Sequence, residues 1–388
     1  MRRIKYIIPI VILSLFACAF KFPEETDYVR IIMVGDDLLH TPVYNQGLQS
    51  DGSYDMNNIF VNMLDDTQSA DIAIINQETI FVEDKSKISS YPMFGSPVET
   101  ADAINNAGFD VVCHATNHAV DKKLQGIQDT LNYWDTNYPN IITLGIHSSP
   151  DEKDVEFLTK NNITFSFVNY TYGLNGLDGF IKDAPYAVDL LSDTDIEDTM
   201  KYAKENSEFC IAILHAGEEY VYEPTNYQKE NIEKFIDLGA DVVICMHPHV
   251  IEPYGLLTTK NGNTGLVYYS LGNFVSAQTE VPRVLGGMAD FTIAKNITDS
   301  KTTIEIYDFS MIPLVTHQEK NNYTVYRLDK YPDELVNKHN LVGKGFSKQK
   351  LYDLYDKITV NKMEYRQNII TNTKNRPITK IDLLKFVG

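Results

Sequence analysis

The chain has 388 residues, a hydrophobic fraction of 43% and a formal net charge of −19 at pH 7. This length suffices for one large domain with additions or for two domains, and the hydrophobic fraction is normal for a globular protein. Nucleic-acid binding requires a basic surface, so the acidity argues against a nucleic-acid partner. The chain has four cysteines and no Cys-x-x-Cys spacing, which argues against a disulfide framework.

Residues 1–18 have the pattern of an export signal. The basic stretch 2–5 precedes the uncharged apolar run 6–17, which is short for a membrane-spanning helix. The sequence Leu-Phe-Ala-Cys at 15–18 is similar to a bacterial lipobox, so we predict lipidation of Cys18 after cleavage. The lipid would hold the protein at the extracellular face of the cytoplasmic membrane. An ordinary secretory signal and an uncleaved anchor are the alternatives, and both also place the folded part outside the cytoplasm.

The remainder of the chain divides into three parts by composition. Residues 19–28 are interpreted as a short tether. From 29 to 315, apolar runs of strand length alternate with helical patterns or with polar residues, which predicts an α/β domain with layered αββα architecture. Residues 316–388 are largely polar and are interpreted as a C-terminal extension, either a packing element or a mobile arm.

Helical periodicity predicts several amphipathic helices. In 225–238, Ile232, Phe235 and Ile236 recur on one face, and charged residues occupy the other face. The predicted helices are 97–107, 125–133, 193–206, 225–238 and 348–357.

Polar side chains follow the predicted strands at the point where each strand ends. In open α/β sheets, functional sites gather at the carboxyl ends of the strands. Carboxylate, amide and imidazole groups together form the ligand set of a dinuclear metal centre. The polar groups are Asp36 and Asp37 after 31–34, Asn76, Gln77 and Glu78 after 72–75, Asn117 and His118 after 109–116, His215 after 211–214, and His247 and His249 after 240–244.

The pair His247 and His249 is the strongest of these signals. The two residues stand at i and i+2 directly after a buried-type strand. Side chains at this spacing in an extended segment point to the same side, and Pro248 between them restricts the backbone. We therefore expect both imidazoles to face one cavity.

Some of these residues have a simpler interpretation. Asn117 could cap a following helix, and Asp36 could be only a turn residue after Gly35. Asn273 is interpreted as a turn residue after Gly272. Their positions at strand ends favour the site for Asp36 and Asn117.

A series of motifs stands in one order across residues 29–280. They are Gly35-Asp36, Asn76-Gln77-Glu78, the segment 91–97, the segment 107–121, His215-Ala216-Gly217-Glu218-Glu219-Tyr220, the segment 239–250 and the segment 269–275. This order resembles the CapA family, which is associated with the synthesis of poly-γ-glutamate capsule. Taken together the motifs are specific, although each one alone is weak.

The resemblance implies a fold and a role for each polar strand end. The CapA family is related to calcineurin-like metallophosphoesterases, which carry a dinuclear centre on an αββα sandwich. Manganese, iron and zinc are the candidate divalent metals. The implied roles are first-metal ligands for Asp36 and His249, a bridging carboxylate for Glu78, second-metal ligands for Asn117, His215 and His247, and the catalytic acid for His118.

The chain also departs from the phosphoesterase pattern. Leu38 stands where that pattern has a histidine, and Glu78 stands where it has an aspartate. His40 stands near the place of an arginine in the CapA pattern. We therefore expect a weaker first-metal site, or one that recruits Asp37. Asp121, three residues after His118, is expected to orient that imidazole as carboxylates orient catalytic histidines.

These observations favour one function and leave two alternatives. The favoured hypothesis is a membrane-anchored CapA-like protein for synthesis or export of poly-γ-glutamate, with the polymer and membrane synthesis proteins as partners. The first alternative is a secreted metal-dependent hydrolase of phosphoesters or γ-glutamyl bonds, in which His118 protonates the leaving group. The second alternative, motivated by Leu38, is a non-catalytic binding module.

Overall fold

A computed structural model describes residues 25–298 and 301–359 of the chain. The predicted export signal with Cys18, the predicted tether up to residue 24 and the last part of the predicted C-terminal extension lie outside the described residues. Among the described helices, none combines the length and the apolar character needed to cross a membrane.

Most strands of the described chain are short, but two strands near its C-terminal end are long. The strands are β1 (Glu25–Asp37), β2 (Ile72–Gln77), β3 (Phe81–Val82), β4 (Ser96–Pro97), β5 (Val111–Cys113), β6 (Ile142–Leu144), β7 (Glu156–Lys160), β8 (Ile163–Thr171), β9 (Phe209–His215), β10 (Val242–Met246), β11 (Tyr254–Thr258), β12 (Thr264–Tyr268), β13 (Asn273–Val275), β14 (Leu285–Thr298), β15 (Lys301–Glu319) and β16 (Asn322–Arg327).

Two helix ends carry recognisable sequence signals. The sixth helix starts with a capping box, in which Thr225 and Gln228 bond reciprocally, and the third ends at Gly108 with a φ of 87°. The helices are α1 (Thr41–Asn45), α2 (Leu64–Gln68), α3 (Glu99–Ala107), α4 (Lys123–Asn137), α5 (Ile196–Asn206), α6 (Asn226–Asp237), α7 (Asp333–Val336) and α8 (Lys348–Thr359). The predicted helices correspond to α3, α4, α5, α6 and α8.

The strands form two large sheets. The 8-stranded sheet has the order β16-β15-β14-β1-β2-β5-β6, with β13 also paired to β1. In this sheet β1, β2, β5, β6 and β13 run parallel, and β14 to β16 run antiparallel. The 6-stranded sheet has the order β11-β12-β10-β9-β8-β7, with its four central strands parallel.

The central strands alternate between two cores because successive side chains point to opposite faces of a sheet. Ile31 of β1 and Ile211 of β9 pack together in the core between the sheets. Ile32 packs on the outer side of the larger sheet with α3 and Trp134 of α4. Ala212 packs on the outer side of the smaller sheet with α5 and α6. The fold is therefore the predicted α/β four-layer αββα sandwich.

The C-terminal part of the larger sheet extends further than the strand pattern predicted. The alternating pattern was interpreted as ending at residue 315, but β15 continues to Glu319 and β16 pairs with it. Within β16, Tyr323 and Val325 are buried in the outer core. The sequence signal is weak because the intervening residues are polar. The division of the chain into domains stays a prediction.

Gly35 lies where β1 meets the turn before β13, and its backbone leaves no room for a side chain. A Cβ at this position would stand 1.9 Å from the carbonyl oxygen of Gly272. We expect Gly35→Ala to lower the free energy of unfolding by about 2 kcal/mol or more, measured by denaturant titration. The control is Gly179→Ala, since no atom lies within 4 Å of a Cβ there. Equal stability of the two variants would contradict the close approach.

Candidate metal centre

The carboxyl ends of parallel strands from both sheets converge on one buried site. His215 at the end of β9 lies 3.9 Å from Asp36 at the end of β1, measured from Nδ1 to Oδ1. Neither side chain is exposed to solvent. The sequence places these residues at strand ends, and the packing of the two sheets brings the strand ends together.

Glu78 occupies the middle of this site. Its Oε1 lies 3.8 Å from Nε2 of His215 and 3.7 Å from Nε2 of His249. Ligand atoms of Glu78, His247 and His249 all lie within 4.8 Å of one another. This spacing suits side chains that share a cation, because the ligands of one ion lie a few ångströms apart.

The remaining predicted ligands flank Glu78 on two sides. Asp36 Oδ2 lies 3.2 Å from Nδ1 of His249. Asn117 Oδ1 lies 2.9 Å from Nε2 of His215. The helix α4 begins only at Lys123, with Lys122 as its N-cap, so Asn117 does not cap it. The structure thus brings together the whole predicted ligand set.

The donor set fits a divalent cation. Buried polar atoms without a hydrogen-bond partner are rare in folded proteins, because leaving them unpaired costs free energy. Several such atoms converge here, and a cation would satisfy them together. Among the described residues, those atoms are both carboxylate oxygens of Glu78, Nδ1 of His215 and Nδ1 of His247.

Burial also shifts the protonation of these groups. Burial raises the pKa of Glu78 well above its usual value. Burial, followed by repulsion from neighbouring imidazoles, lowers the pKa of His215 well below its usual value and that of His247 to about 3. Burial opposes protonation of His249 as well, but the carboxylates of Glu78 and Asp36 outweigh it and raise the pKa to about 9. Neutral imidazole is the form that binds metals, so His215 and His247 are ready to act as ligands.

The backbone of the histidine pair differs from the extended segment that the sequence predicted. His247 has a φ of 104° and His249 a φ of 58°, so neither residue is extended. Proline disfavours compact conformations of the residue before it, and a positive φ is costly for any residue with a Cβ. The two imidazoles approach the same carboxylate of Glu78 through a strained bend, a feature typical of functional sites.

His118 and Asp121 form a pair beside the centre. Nδ1 of His118 lies 2.7 Å from Oδ2 of Asp121, as the sequence predicted for an orienting carboxylate. The same oxygen accepts a hydrogen bond from the backbone N–H of Phe94, whose ring packs edge-on against His118. Thr116 donates to the carbonyl of Glu78 and accepts from the N–H of His118, which ties the pair to the centre.

Leu38 and His40, where the chain departs from the family patterns, are not among the residues that converge on Glu78. Leu38 is buried among apolar side chains, as its chemistry requires. Nδ1 of His40 lies 3.2 Å from the carbonyl oxygen of Leu38 and 3.4 Å from the backbone nitrogen of Ala277. His40 therefore bonds to the backbone around the site rather than to its ligands.

Two residues contact the predicted ligands although the sequence analysis gave them no firm role. Asn76 donates to Asp36 Oδ1 at 2.8 Å, and Asn273 Oδ1 lies 3.0 Å from Nδ1 of His249. The strand-end rule pointed to Asn76, but the turn interpretation of Asn273 missed its contact with the imidazole, because Asn273 stands at the start of β13. Asp37 is fully buried, burial raises its pKa to about 8, and its carboxylate has no hydrogen-bond partner among the described residues.

Comparisons with known proteins agree with the motif order. The family model described as "Bacterial capsule synthesis protein PGA_cap" matches residues 30–278. The chain belongs to this family. This confirms the resemblance predicted from the motifs, and the matched region contains every candidate ligand of the metal centre.

Relatives within the PGA_cap family are similar at moderate identity. The PGA biosynthesis protein CapA of Bacillus subtilis (strain 168) is 28% identical over 235 residues, which cover 60% of this chain and 60% of that protein. The capsule biosynthesis protein CapA of Bacillus anthracis is 24% identical over 319 residues, which cover 78% of this chain and 73% of that protein. The chain thus matches less than two thirds of the length of the first relative.

A comparison of folds finds an NAD nucleotidase of Haemophilus influenzae among similar solved structures. It is 10% identical, with a TM-score of 0.43, and the match covers 86% of this chain and 60% of that one.

The pH dependence of the free energy of unfolding tests whether Glu78 belongs to the metal centre. Its raised pKa means that the folded state holds the proton more tightly than the unfolded state, so its contribution to stability is present below about pH 4.5 and is lost as the pH rises. In chelator-treated protein, Glu78→Gln should therefore become progressively more stable than the wild type from about pH 5 to about pH 8.

Added divalent cation should reverse this order, because the cation binds the folded wild type through the carboxylate. The measurement is denaturant unfolding with chelator and with Mn²⁺. The exposed control Glu205→Gln should follow the wild type in both conditions. A wild type that stays less stable than Glu78→Gln with Mn²⁺ present would argue against Glu78 as a ligand.

Proposed function

We propose that this chain takes part in the synthesis or export of poly-γ-glutamate capsule polymer at the extracellular face of the cytoplasmic membrane. Membership of the PGA_cap family supports the capsule role. The export pattern of residues 1–18 supports the location, with a lipid on Cys18 as the anchor to the membrane. The polymer and membrane synthesis proteins would be the partners.

The observation that carries the site assignment is the convergence of unpartnered donor atoms around Glu78. We assign Glu78 as the shared carboxylate between two groups of ligands. A divalent cation bound here would supply Lewis acidity towards a phosphoryl or acyl oxygen. The two groups are Asp36 with His249, and Asn117 with His215 and His247.

His118 would act as the general acid in such a reaction. Asp121 holds Nδ1 and fixes the orientation of the ring, and Phe94 supports one edge of it. Nε2 on the far side of the ring would then face a substrate at the centre and donate a proton to its leaving group. This role requires the imidazole, whereas a purely structural role would require only the hydrogen bond to Asp121.

The rim of the centre offers a place for an anionic substrate. Tyr172 packs against His247 with 4.7 Å between ring centroids, and Tyr220 lies 6.0 Å from His249. The guanidinium of Arg283 lies 3.5 Å over the ring of Tyr220. The chain has a net charge of −19, so a positive group beside the centre is notable. The Arg283 guanidinium would bind a carboxylate of the polymer.

Complementation of a deletion strain tests the proposed function. Deletion of the gene should abolish surface poly-γ-glutamate, and the wild-type chain should restore it. Glu78→Gln should fail to restore the polymer because it removes the shared carboxylate, while the exposed variant Glu205→Gln should succeed. His118→Gln should also fail while retaining bound metal. The readout is the amount of polymer at the cell surface, with protein levels matched by immunoblot.

Two results would overturn this proposal. A deletion strain with normal surface polymer would exclude the capsule role, and metal-dependent hydrolysis of phosphoesters by the purified protein would then favour the hydrolase alternative. Full complementation by Glu78→Gln would show that polymer formation does not require the metal centre.

Arg283 provides a separate test of polymer recognition. We expect Arg283→Gln to weaken the binding of poly-γ-glutamate oligomers to the Mn²⁺-loaded protein by about tenfold, since a charge-assisted contact is lost. Calorimetric titration measures the affinity. The matched control is Lys260→Gln, because the Lys260 side chain is 91% exposed and removal of its charge changes the net charge equally. An equal loss in both variants would indicate a general charge effect instead of a contact at the rim.

A further inference from the structure

A second group of metal-binding side chains lies outside the centre described above. His147 follows β6, Asp154 precedes β7, and Asp189 lies in the segment before α5. Nε2 of His147 is 2.8 Å from Oδ1 of Asp189 and 3.8 Å from Oδ1 of Asp154. One ligand atom from each residue lies within 4.8 Å of the other two. The connection between β6 and β7 and the segment before α5 thus bring an imidazole and two carboxylates together.

The hydrogen bond between His147 and Asp189 does not satisfy this group. The side chain of Asp189 is 4% exposed, and its Oδ2 is buried with no hydrogen-bond partner among the described residues. The single proton on Nε2 is directed to Asp189, and Asp154 at 3.8 Å is beyond hydrogen-bond distance. A buried carboxylate oxygen therefore lacks a donor at the place where a second carboxylate converges.

Negative charges also outnumber positive charges in this group. Glu152 approaches the other ring nitrogen of His147 at 3.6 Å, so three carboxylates surround one imidazole. The neighbouring Lys153 does not compensate, because its ammonium lies 3.5 Å over the ring of Tyr202. Burial raises the pKa of Asp189 to about 7, although the hydrogen bond with His147 opposes this shift. A cation at the convergence point would favour the charged form of both carboxylates.

The spacing of the ligand atoms fits a small divalent cation. Two ligands that each stand at roughly 2.1 Å from one ion lie roughly 3.0 to 3.4 Å apart, and the observed distances from His147 bracket this range. Imidazole with carboxylates suits Mn²⁺ and Zn²⁺ better than Ca²⁺, which prefers oxygen ligands. A cavity of about 220 Å³ lined in part by His147, Glu152 and Asp154 provides an entry path.

We propose that His147, Asp154 and Asp189 bind a structural divalent cation of the Mn²⁺ and Zn²⁺ class, separate from the centre around Glu78. The ion would add a link between the β6–β7 connection and the segment before α5, where the N–H of Asp189 already donates to the carbonyl of Gly145 and the N–H of His147 to that of Ala187. The carbonyl of Asp189 accepts from the N–H of Thr171 at the end of β8. The next residue, Tyr172, packs against His247, so the ion would also support the rim of the first centre.

Counting bound Mn²⁺ by electron paramagnetic resonance tests this proposal. The full-length chain, purified in detergent and stripped with chelator, is titrated in a His247→Ala/His249→Ala background, which removes a ligand from each group of the first centre. We expect one Mn²⁺ site to remain there, and Asp154→Asn in the same background to weaken it by about tenfold or more. Mn²⁺ should also raise the melting temperature of the background variant, and this increase should disappear when Asp154→Asn is added.

The matched control is Asp195→Asn, which removes the same charge from an exposed neighbouring position. It should leave Mn²⁺ binding unchanged in the His247→Ala/His249→Ala background. Loss of binding in this control equal to that in Asp154→Asn would overturn the proposal, because only bulk charge would matter. Binding that persists unchanged in Asp154→Asn would overturn it as well. Absence of any Mn²⁺ site in the folded background variant, verified by circular dichroism, would leave His147 and Asp189 as a plain ion pair.

Discussion

The burial of the Glu78 carboxylate between the two sheets is the constraint on which the candidate centre depends. Neither of its oxygens has a hydrogen-bond partner among the described residues, and the side chain is fully buried. A charge held in such a place without a partner is costly, so the fold tolerates it only as a proton-bearing acid or beside a cation. The imidazoles of His215 and His247, kept neutral by the same burial, would supply lone pairs to such a cation.

The backbone around the centre is held in conformations that an isolated segment would avoid. The positive φ angles of His247 and His249 and the contact of Gly35 with Gly272 occur where the sheets meet. Strain of this kind persists only when the surrounding structure determines it, and here the parallel pairing of β1 with β13 and of β9 with β10 does so. The side chains of Asn76 and Asn273 then fix the orientation of Asp36 and His249.

The two candidate cation sites use the fold in different ways. The centre around Glu78 is built on strand ends, where sheet hydrogen bonds hold the ligands. The group around His147 is built on connecting segments, which backbone hydrogen bonds such as that from Asp189 to Gly145 hold together. The end of β8 links the two sites, because Thr171 bonds to Asp189 and pairs in register with His215.

The sequence by itself determined most of the elements and the positions of the candidate ligands, because strand periodicity and polar strand ends are local signals. Asp36, Glu78, Asn117, His215, His247 and His249 were predicted in this way, since the carboxyl ends of parallel strands meet at one edge. Only the tertiary structure decided which polar atoms lack partners and how the histidine pair bends, because both follow from the packing of one sheet on the other. The contact of His147 with Asp189 spans a separation of 42 residues along the chain, so no local pattern could indicate it. The place of β16 was also decided by tertiary structure, since pairing with β15 and burial of Tyr323 and Val325 in the outer core hold this short strand.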